Sequence, residues 1–498
     1  MQLVDIVRRM PDLVALPASM AAGWHDAAAA QIEVVGITSD SRQVRHGMIF
    51  VALPGRRQDG RRFIPEAIAR GAAVVLAPAG TPRVAGVRPC AFIEDPEPRQ
   101  RLARIAALMA GSQPMVIAAV TGTNGKTSTV EFLRQLWAAA GHSAASLGTL
   151  GVIAPGIDGL PASDGLTTAD PVTLAQTMAA LARGGVTRAA VEASSHGLDQ
   201  FRLDGLRLVA GAFTNLSRDH LDYHGSLEAY REAKLRLFQR MLPGRAPVVA
   251  STALDAESMA TLRRLAQRRR LALQVVGAGG ETIDLRRAVP LADGQVLELR
   301  VDGAPAEVHL KLPGRFQADN ALVAAALARV TGAPDAVAQM AGLVGVRGRM
   351  ELVARLGNGA AVYVDFAHTP DALTTLLAAL RPHCAGRLHI VFGAGGDRDR
   401  GKRPLMGAAA AAGADVVLVT DDNPRSEAAG EIRAAILAAC PGAREIGDRA
   451  LAIEVALGGL GAGDVLVVAG KGHETGQVIG RETHPFDDAA VVRALVGG

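Results

Sequence analysis

Val116-Ile117-Ala118-Ala119-Val120 runs directly into Thr121-Gly122-Thr123-Asn124-Gly125-Lys126-Thr127-Ser128, and a helical pattern over residues 129–140 follows. A buried-strand run, a glycine loop and a helix in that order read as a phosphate loop. Glycines let successive backbone N–H groups face phosphate oxygens at a helix N-terminus. Lys126 then supplies a cation to the outer phosphates, and Thr127 offers a hydroxyl to Mg²⁺. The strict G-x-x-x-x-G-K-[ST] pattern is not met, because Val120 stands where its first glycine belongs. The bland alternative is a glycine turn before a helix; the flanking strand and helix favour ATP. The expected ATP contacts here are Gly122, Thr123, Asn124, Gly125, Lys126, Thr127 and Ser128.

Downstream, strand-like runs at 189–191, 208–213 and 248–251 alternate with helical segments, which predicts an α/β fold with a mainly parallel sheet covered on both faces. Residues 273–312 alternate apolar and polar side chains instead, as an antiparallel edge or flap would. A helix over 317–331 precedes Gly345-Val346-Arg347-Gly348, which reads as a hinge. Beyond it, strands at 361–365, 388–392, 416–420 and 465–468 each end in a loop rich in Gly, Asp, Asn or Pro, where open α/β sheets bind ligands. Upstream, a strand at 34–37, a polar 38–42, a run at 48–53, a helix at 63–70 and a strand at 73–76 form a small α/β unit. A helix over 99–110 ends at Gly111-Ser112-Gln113-Pro114. The expected domains are 1–112, 113–346 and 347–498.

The 498 residues are enough for roughly three domains. Hydrophobic residues at 49% and charged residues at 20% match ordinary globular proteins and argue against disorder. The net charge of +4 comes from 53 basic and 49 acidic residues without a basic tract, and aromatics are 3%, so nucleic acid is not an expected partner. Cys90, Cys384 and Cys440 are odd in number and lack CxxC spacing, which argues against a disulfide framework or thiolate zinc site and for a reducing compartment. No charge-free apolar run reaches the ~18 residues of a membrane span, and Arg8 and Arg9 interrupt the N-terminal start. A cytoplasmic protein without a membrane partner is expected.

A phosphate-bound Mg²⁺ needs more ligands than Thr127 provides. Glu192 closes one strand and opens Glu192-Ala193-Ser194-Ser195-His196-Gly197; Asp219-His220-Leu221-Asp222-Tyr223-His224-Gly225 follows another. A histidine such as His220 is by itself more often packed or solvated. A strand-end carboxylate beside a phosphate loop makes Glu192 and His220 candidate ligands.

The chain resembles the Mur ligase family along essentially its whole length. The matching segments are Asp40-Ser41-Arg42 with residues 59–64, the 122–127 loop, 192–197, 219–225 with Lys234, Leu312-Pro313-Gly314-Arg315-Phe316, Gly348-Arg349-Met350-Glu351, 365–372, 395–404, Asp422-Asn423-Pro424-Arg425 and 470–474. The resemblance implies three domains: a small N-terminal α/β domain that holds UDP, a central P-loop ATPase domain, and a C-terminal Rossmann-like domain that closes over the site. It implies an ATP-dependent ligase of peptidoglycan precursor assembly, and hence of cell-wall growth, cell shape and division. The substrates would be UDP-N-acetylmuramoyl-L-alanyl-D-glutamate and meso-2,6-diaminopimelate, joined through an acyl phosphate by a monomer using two Mg²⁺.

Residue by residue, the resemblance implies UDP-muramoyl-dipeptide contacts at Ser39, Ser41, Arg56, Arg57, Gln58, Thr167, Thr168, Ser194, Gln200 and Arg202. Further ATP contacts would be Asn320, Arg349 and Asp365. The metal ligands would be Thr127, Glu192, His220 and Lys234, the last as a carbamate formed with CO₂; Lys126, Lys234, Glu192 and His220 form the catalytic set. Without the resemblance, Lys234 reads as a solvated lysine on a helix over 227–241, and Gln200 and Arg202 as residues of a solvated strand or loop. Gly393-Ala394-Gly395-Gly396-Asp397-Arg398 starts like a dinucleotide fingerprint, but Arg398 occupies the last position, so NAD is disfavoured. The resemblance instead implies a diaminopimelate pocket from Arg398, Asp422, Asn423, Pro424, Arg425, Gly470 and Glu474. Diaminopimelate carries a far-end carboxylate that lysine lacks, which calls for an extra cation such as Arg425. Departures from the family pattern are Phe366 for Tyr, Ala394 for Cys, Ala169 for Pro and Gln317 for Asn. The rivals are a lysine-adding homologue, a folylpolyglutamate-type ligase and, from another class, an ATPase switch.

Overall fold

A computed structural model describes residues 1–10, 31–55, 58–83, 90–161, 165–291 and 293–497. The chain is α/β, and among the described residues its strands form three main sheets. In the first, Gly36–Thr38, Met48–Val51, Val74–Pro78 and Ala91–Asp95 lie side by side in chain order, all parallel. The helix Pro98–Ala110 covers this sheet and also packs against the central helix Pro171–Arg183, so it ties two layers together. Asp204 reinforces that junction by accepting from both Gln100 (2.7 Å) and Arg236 (2.6 Å).

The second sheet has ten strands, with Val116–Thr121 between Arg188–Glu192 and Leu208–Phe213. Its strands Ala144–Gly148, Pro247–Ser251 and Ala272–Gly277 extend the parallel part. Antiparallel pairing joins only Ile283–Leu291, Gly294–Val301 and Ala304–Leu310 at one end and Gly151–Ile153 at the other. The alternating tract at 273–312 is therefore not antiparallel throughout. Its first strand pairs in parallel with Pro247–Ser251, because a helix, Ala256–Arg269, crosses over between them. The helix Arg315–Val330 is buried along nearly its whole length, and its run of alanines, residues 324–326, lets it lie close against the helix Lys126–Ala139.

The third sheet orders Glu351–Arg355, Ala361–Asp365, Val465–Ala469, Leu388–Phe392, Val416–Val419 and Arg444–Glu445, and only the first pair is antiparallel. A separate hairpin, Gly476–Ile479 with Glu482–Pro485, follows it. At 345–348, the hinge-like stretch packs Gly348 (φ +65°) so tightly that a Cβ there would lie 2.2 Å from the backbone nitrogen of His473. Only glycine fits that approach.

Beneath the third sheet, Arg449 and Asp488 form a fully buried two-pronged pair, with Nε–Oδ1 and Nη2–Oδ2 both at 2.7 Å. Arg449 Nη2 also donates to Ala469 O at 3.0 Å, at the end of a sheet strand. Asp488→Ala leaves that guanidinium buried without its counter-ion and is expected to cost about 3–5 kcal/mol, whereas Arg449→Met/Asp488→Leu recovers most of it. Thermal melting of both variants checks this; equal melting losses would contradict it.

Candidate active site

The phosphate loop is built by close approaches that exclude side chains. A Cβ on Gly122 would meet Thr214 Oγ1 at 1.9 Å, and one on Gly125 (φ +81°) would meet Asn320 Oδ1 at 2.1 Å. Asn320 thus lies directly on the loop, from the helix Arg315–Val330. The loop's backbone is held from the next strand's exit: Thr123 N donates to Asn215 O (2.9 Å), Asn124 N to Asn215 Oδ1 (2.9 Å), and Thr214 Oγ1 to Asn124 O (2.6 Å). Nothing in the one-dimensional pattern marked Thr214 or Asn215 as supports, since they are ordinary strand-exit residues. Thr127 and Ser128 are buried on the first turn of the helix that follows.

Lys126 Nζ donates to Gly122 O at 2.9 Å and to Thr123 O at 2.8 Å. Lys234 Nζ donates to the same Gly122 O at 2.8 Å and lies 4.3 Å from the centre of the Tyr230 ring. Lys234 is not a solvated lysine: it is 1% exposed, because the helix Leu227–Arg236 packs against Ser195–Asp199 and turns this face toward the phosphate loop. A π-helical turn, Leu237–Met241, ends that helix. Burial, with the neighbouring charge of Lys126, drives the Lys234 ammonium well below the ordinary lysine range; Asp219 opposes the shift. Burial also lowers Lys126, opposed by Glu192, while Arg349 lowers it further.

Glu192 ends the strand next to Val116–Thr121 and is wholly buried. Its Oε1 accepts from Thr149 N (2.8 Å) and its Oε2 from Thr149 Oγ1 (3.2 Å). Gly148 must be glycine, since a Cβ there would reach Glu192 Oε1 at 2.0 Å. Thr149 escaped the sequence reading because a lone threonine after a strand carries no signal. His220 is half exposed in the left-handed region (φ +52°), its N–H on Asp219 Oδ1 at 2.8 Å. It packs in an aromatic cluster with His196 (4.8 Å), near Tyr223 and His224. Burial, then the His220 and His224 charges, push the His196 imidazolium down to about 4.

The residues with the implied dipeptide role form one network against Glu192. Thr168 Oγ1 donates to Glu192 O (2.8 Å), lies 2.9 Å from Ser194 Oγ, and accepts from Ser194 N. Thr167 lies 3.3 Å from Thr149 through their hydroxyls. Arg202, far from being a solvated loop residue, donates to Thr168 O (2.7 Å) and to Gln200 Oε1 (2.8 Å). Gln200 Nε2 continues the chain to the Tyr223 hydroxyl at 3.1 Å. Ser39, Ser41 and Gln58 stand on the first domain, outside this network. Ser41 is buried with its hydroxyl on Glu66 (3.1 Å), and Ser39 and Gln58 are exposed. Arg56 and Arg57 lie outside the described residues.

From the third domain, Asp365 accepts from Met350 N and Ala367 N, both at 2.7 Å, and Arg349 lays its guanidinium 4.6 Å from the centre of the Phe366 ring. That stacking needs no phenol hydroxyl, so Phe366 serves it as Tyr would. Asp422, Asn423, Pro424, Arg425, Gly470 and Glu474 converge beyond the ends of Val416–Val419 and Val465–Ala469, the strands on either side of Leu388–Phe392. Asn423 Nδ2 donates to Glu474 Oε2 at 2.9 Å, and a Cβ on Gly470 would meet Asp422 Oδ2 at 2.5 Å. A Cβ on Gly395 would lie 2.8 Å from Arg425 Nη1 and 3.7 Å from Arg398 Cγ, so both arginines flank that glycine turn.

Among the described residues no group of three or more His, Cys, Asp and Glu side chains converges as a ready-made metal site. The donors nearest the phosphate loop fit an Mg²⁺ that takes several of its oxygens from bound phosphates. Two ammonium groups, those of Lys126 and Lys234, meet on the Gly122 carbonyl.

Three family models match in order: "Mur ligase family, catalytic domain" over residues 33–109, "Mur ligase middle domain" over 120–328, and "Mur ligase, glutamate ligase domain" over 348–472. A protein of Rhizobium meliloti called UDP-N-acetylmuramoyl-L-alanyl-D-glutamate–2,6-diaminopimelate ligase is 51% identical over 474 residues, covering 94% of this chain and 96% of its own. Its namesake in Mesorhizobium japonicum is 52% identical over 471 residues, with the same coverage. A solved structure of a ligase with the same name superimposes with a TM-score of 0.71 at 35% identity, covering 95% of this chain and 96% of that one. With all three domain models matched in order and near-full-length relatives at half identity, this chain belongs to the Mur ligase family.

Proposed function

We propose that the chain adds meso-2,6-diaminopimelate to the D-glutamate γ-carboxylate of UDP-N-acetylmuramoyl-L-alanyl-D-glutamate, at the expense of ATP. The observation that carries this reading is the near-full-length likeness, at about half identity, to relatives that bear that name. The three sheets support domain limits at 1–112, 113–346 and 347–498, and the reaction belongs in the cytoplasm, where ATP is supplied.

The γ-carboxylate oxygen attacks the terminal phosphorus of ATP and ADP leaves, giving an acyl phosphate. The diaminopimelate amine then attacks the acyl carbon, phosphate departs, and the nitrogen loses its proton as the amide forms. Lys126 and the loop N–H groups other than those of Thr123 and Asn124, which bond Asn215, hold the phosphates and offset charge that develops during transfer. Arg349, close enough to Lys126 to affect its protonation, adds a second cation from the third domain. Thr168, Ser194, Gln200 and Arg202, locked to one another and to Glu192, would present the dipeptide carboxylate. Thr127, Glu192, His220 and carbamylated Lys234 would hold Mg²⁺, which when bound neutralises phosphate charge. Arg425 and Arg398 would take the acceptor's far carboxylate and Glu474 its far ammonium.

An acceptor panel with the UDP-dipeptide and ATP tests the reading by phosphate release. Diaminopimelate is expected to outperform L-lysine by at least about 10²-fold in kcat/KM, since lysine leaves a cation without its carboxylate. Arg425→Ala should raise the KM for diaminopimelate while leaving that for the UDP-dipeptide nearly unchanged. Equal use of both acceptors by the unaltered enzyme would overturn the assignment of residues 422–425. Rapid ATP hydrolysis without any acceptor would favour the ATPase switch instead.

A further inference from the structure

Lys471 is 0% exposed, and it pairs with two carboxylates only loosely while its short hydrogen bonds go elsewhere. Its Nζ donates to Asn423 Oδ1 at 3.0 Å and to Gly476 O at 2.7 Å; Glu474 Oε2 stands at 3.6 Å and Asp422 Oδ1 at 3.9 Å. A lysine kept only to neutralise a buried acid would be expected in contact with that acid. This one gives both of its hydrogen bonds to neutral oxygens and holds the two carboxylates as longer ion pairs beside them.

The two bonds lead toward the two charged groups assigned to the acceptor's far end, Glu474 through Asn423 and Arg425 through the hairpin. Asn423 Oδ1 also accepts from Val478 N at 2.9 Å, so two donors fix the carboxamide with its oxygen toward Lys471. The amide nitrogen must then face Glu474, to which it donates at 2.9 Å. Through Gly476 O, the same ammonium anchors the start of the hairpin strand Gly476–Ile479. That hairpin clamps Arg425, which sits in the left-handed region (φ +53°). Arg425 N donates to Val478 O at 3.0 Å, and Arg425 O accepts from Gly480 N at 2.7 Å. Gln477 Nε2 adds a bond to Asp422 O at 2.8 Å.

We propose that Lys471 is a positioning residue that sets the spacing between the carboxylate of Glu474 and the guanidinium of Arg425. It thereby tunes the pocket for an acceptor whose far carbon bears both an ammonium and a carboxylate. The proposal rests on the acceptor assignment above. The group acts through Asn423 and the hairpin and touches no reacting atom.

Lys471→Met removes the charge and both bonds while keeping an unbranched side chain. Its KM for diaminopimelate should rise by about tenfold or more, with KM for ATP and the UDP-dipeptide within about twofold and kcat changed less than KM. The preference for diaminopimelate over lysine should shrink by a similar factor. Lys471→Gln, whose amide can still donate to Asn423, should recover part of the loss. If Lys471→Met does not fold, as judged by melting, Lys471→Gln carries the test: it removes the charge and one of the two bonds, and it should still raise the diaminopimelate KM selectively, by less than about tenfold. Unchanged diaminopimelate KM in folded variants, or a parallel rise for all three substrates, overturns the positioning role. Failure of the unaltered enzyme to use diaminopimelate would instead overturn the acceptor assignment.

Discussion

Lys126→Ala is expected to lower ligation by about 10²–10³-fold with little change in melting temperature. The rate loss follows from removing a preorganised cation aimed at phosphoryl oxygens, where charge shifts during transfer. The small stability effect follows from the local bonding. Among the described residues Lys126 Nζ hydrogen-bonds to the backbone oxygens of Gly122 and Thr123, and Gly122 O keeps its bond from Lys234. The partly exposed side chain fills no core volume. Phosphate release and thermal melting, measured together, decide the matter; turnover within a few fold of normal would remove the loop from the catalytic assignment.

Lys234→Ala is expected to cost at least as much activity, for a different reason, and to be partly rescued by a short carboxylate such as acetate. Carbamylation requires the neutral amine. Burial and the charge of Lys126 lower the Lys234 pKa well below its ordinary value, so the neutral form is available at pH values where an exposed lysine is almost wholly protonated. The carbamate then carries negative charge beside Lys126, turning a repulsive pair into an attractive one. Alanine leaves a vacancy where a small anion can enter, whereas a role for the positive charge would be rescued by an amine. Mass analysis of the active enzyme in bicarbonate provides an independent check. An active enzyme with unmodified Lys234, or rescue by methylamine but not acetate, would contradict the carbamate.

These two lysines also separate what local sequence can and cannot convey. Lys126 was legible because its role depends on neighbours in the chain: an apolar strand before it, glycines that free the backbone, and a helix start behind it. Lys234 had no such context. It lies among Arg231, Glu232 and Arg236 on a helix whose polar residues read as a solvated face, and only the family resemblance singled it out. Its burial comes from residues 112 positions away, where Gly122 O receives it. Arg202 misled for the same reason: its partner Thr168 is distant in sequence, and both belong to a network that forms only when two strand exits meet.

The sequence by itself determined the α/β class, the alternation that builds the parallel sheets, and the phosphate loop, because strand periodicity, helix starts and glycine turns are encoded within a few residues. It also carried enough ordered motifs to resemble one family along its length. Only the tertiary structure decided that residues 272–277 join the parallel sheet, that Glu192 is oriented by Thr149, and that Lys471 ties Asn423 to the hairpin holding Arg425. Each of those outcomes depends on which segments come within hydrogen-bond reach. A buried polar atom takes whatever partner the packed fold supplies, and chain spacing does not reveal that partner.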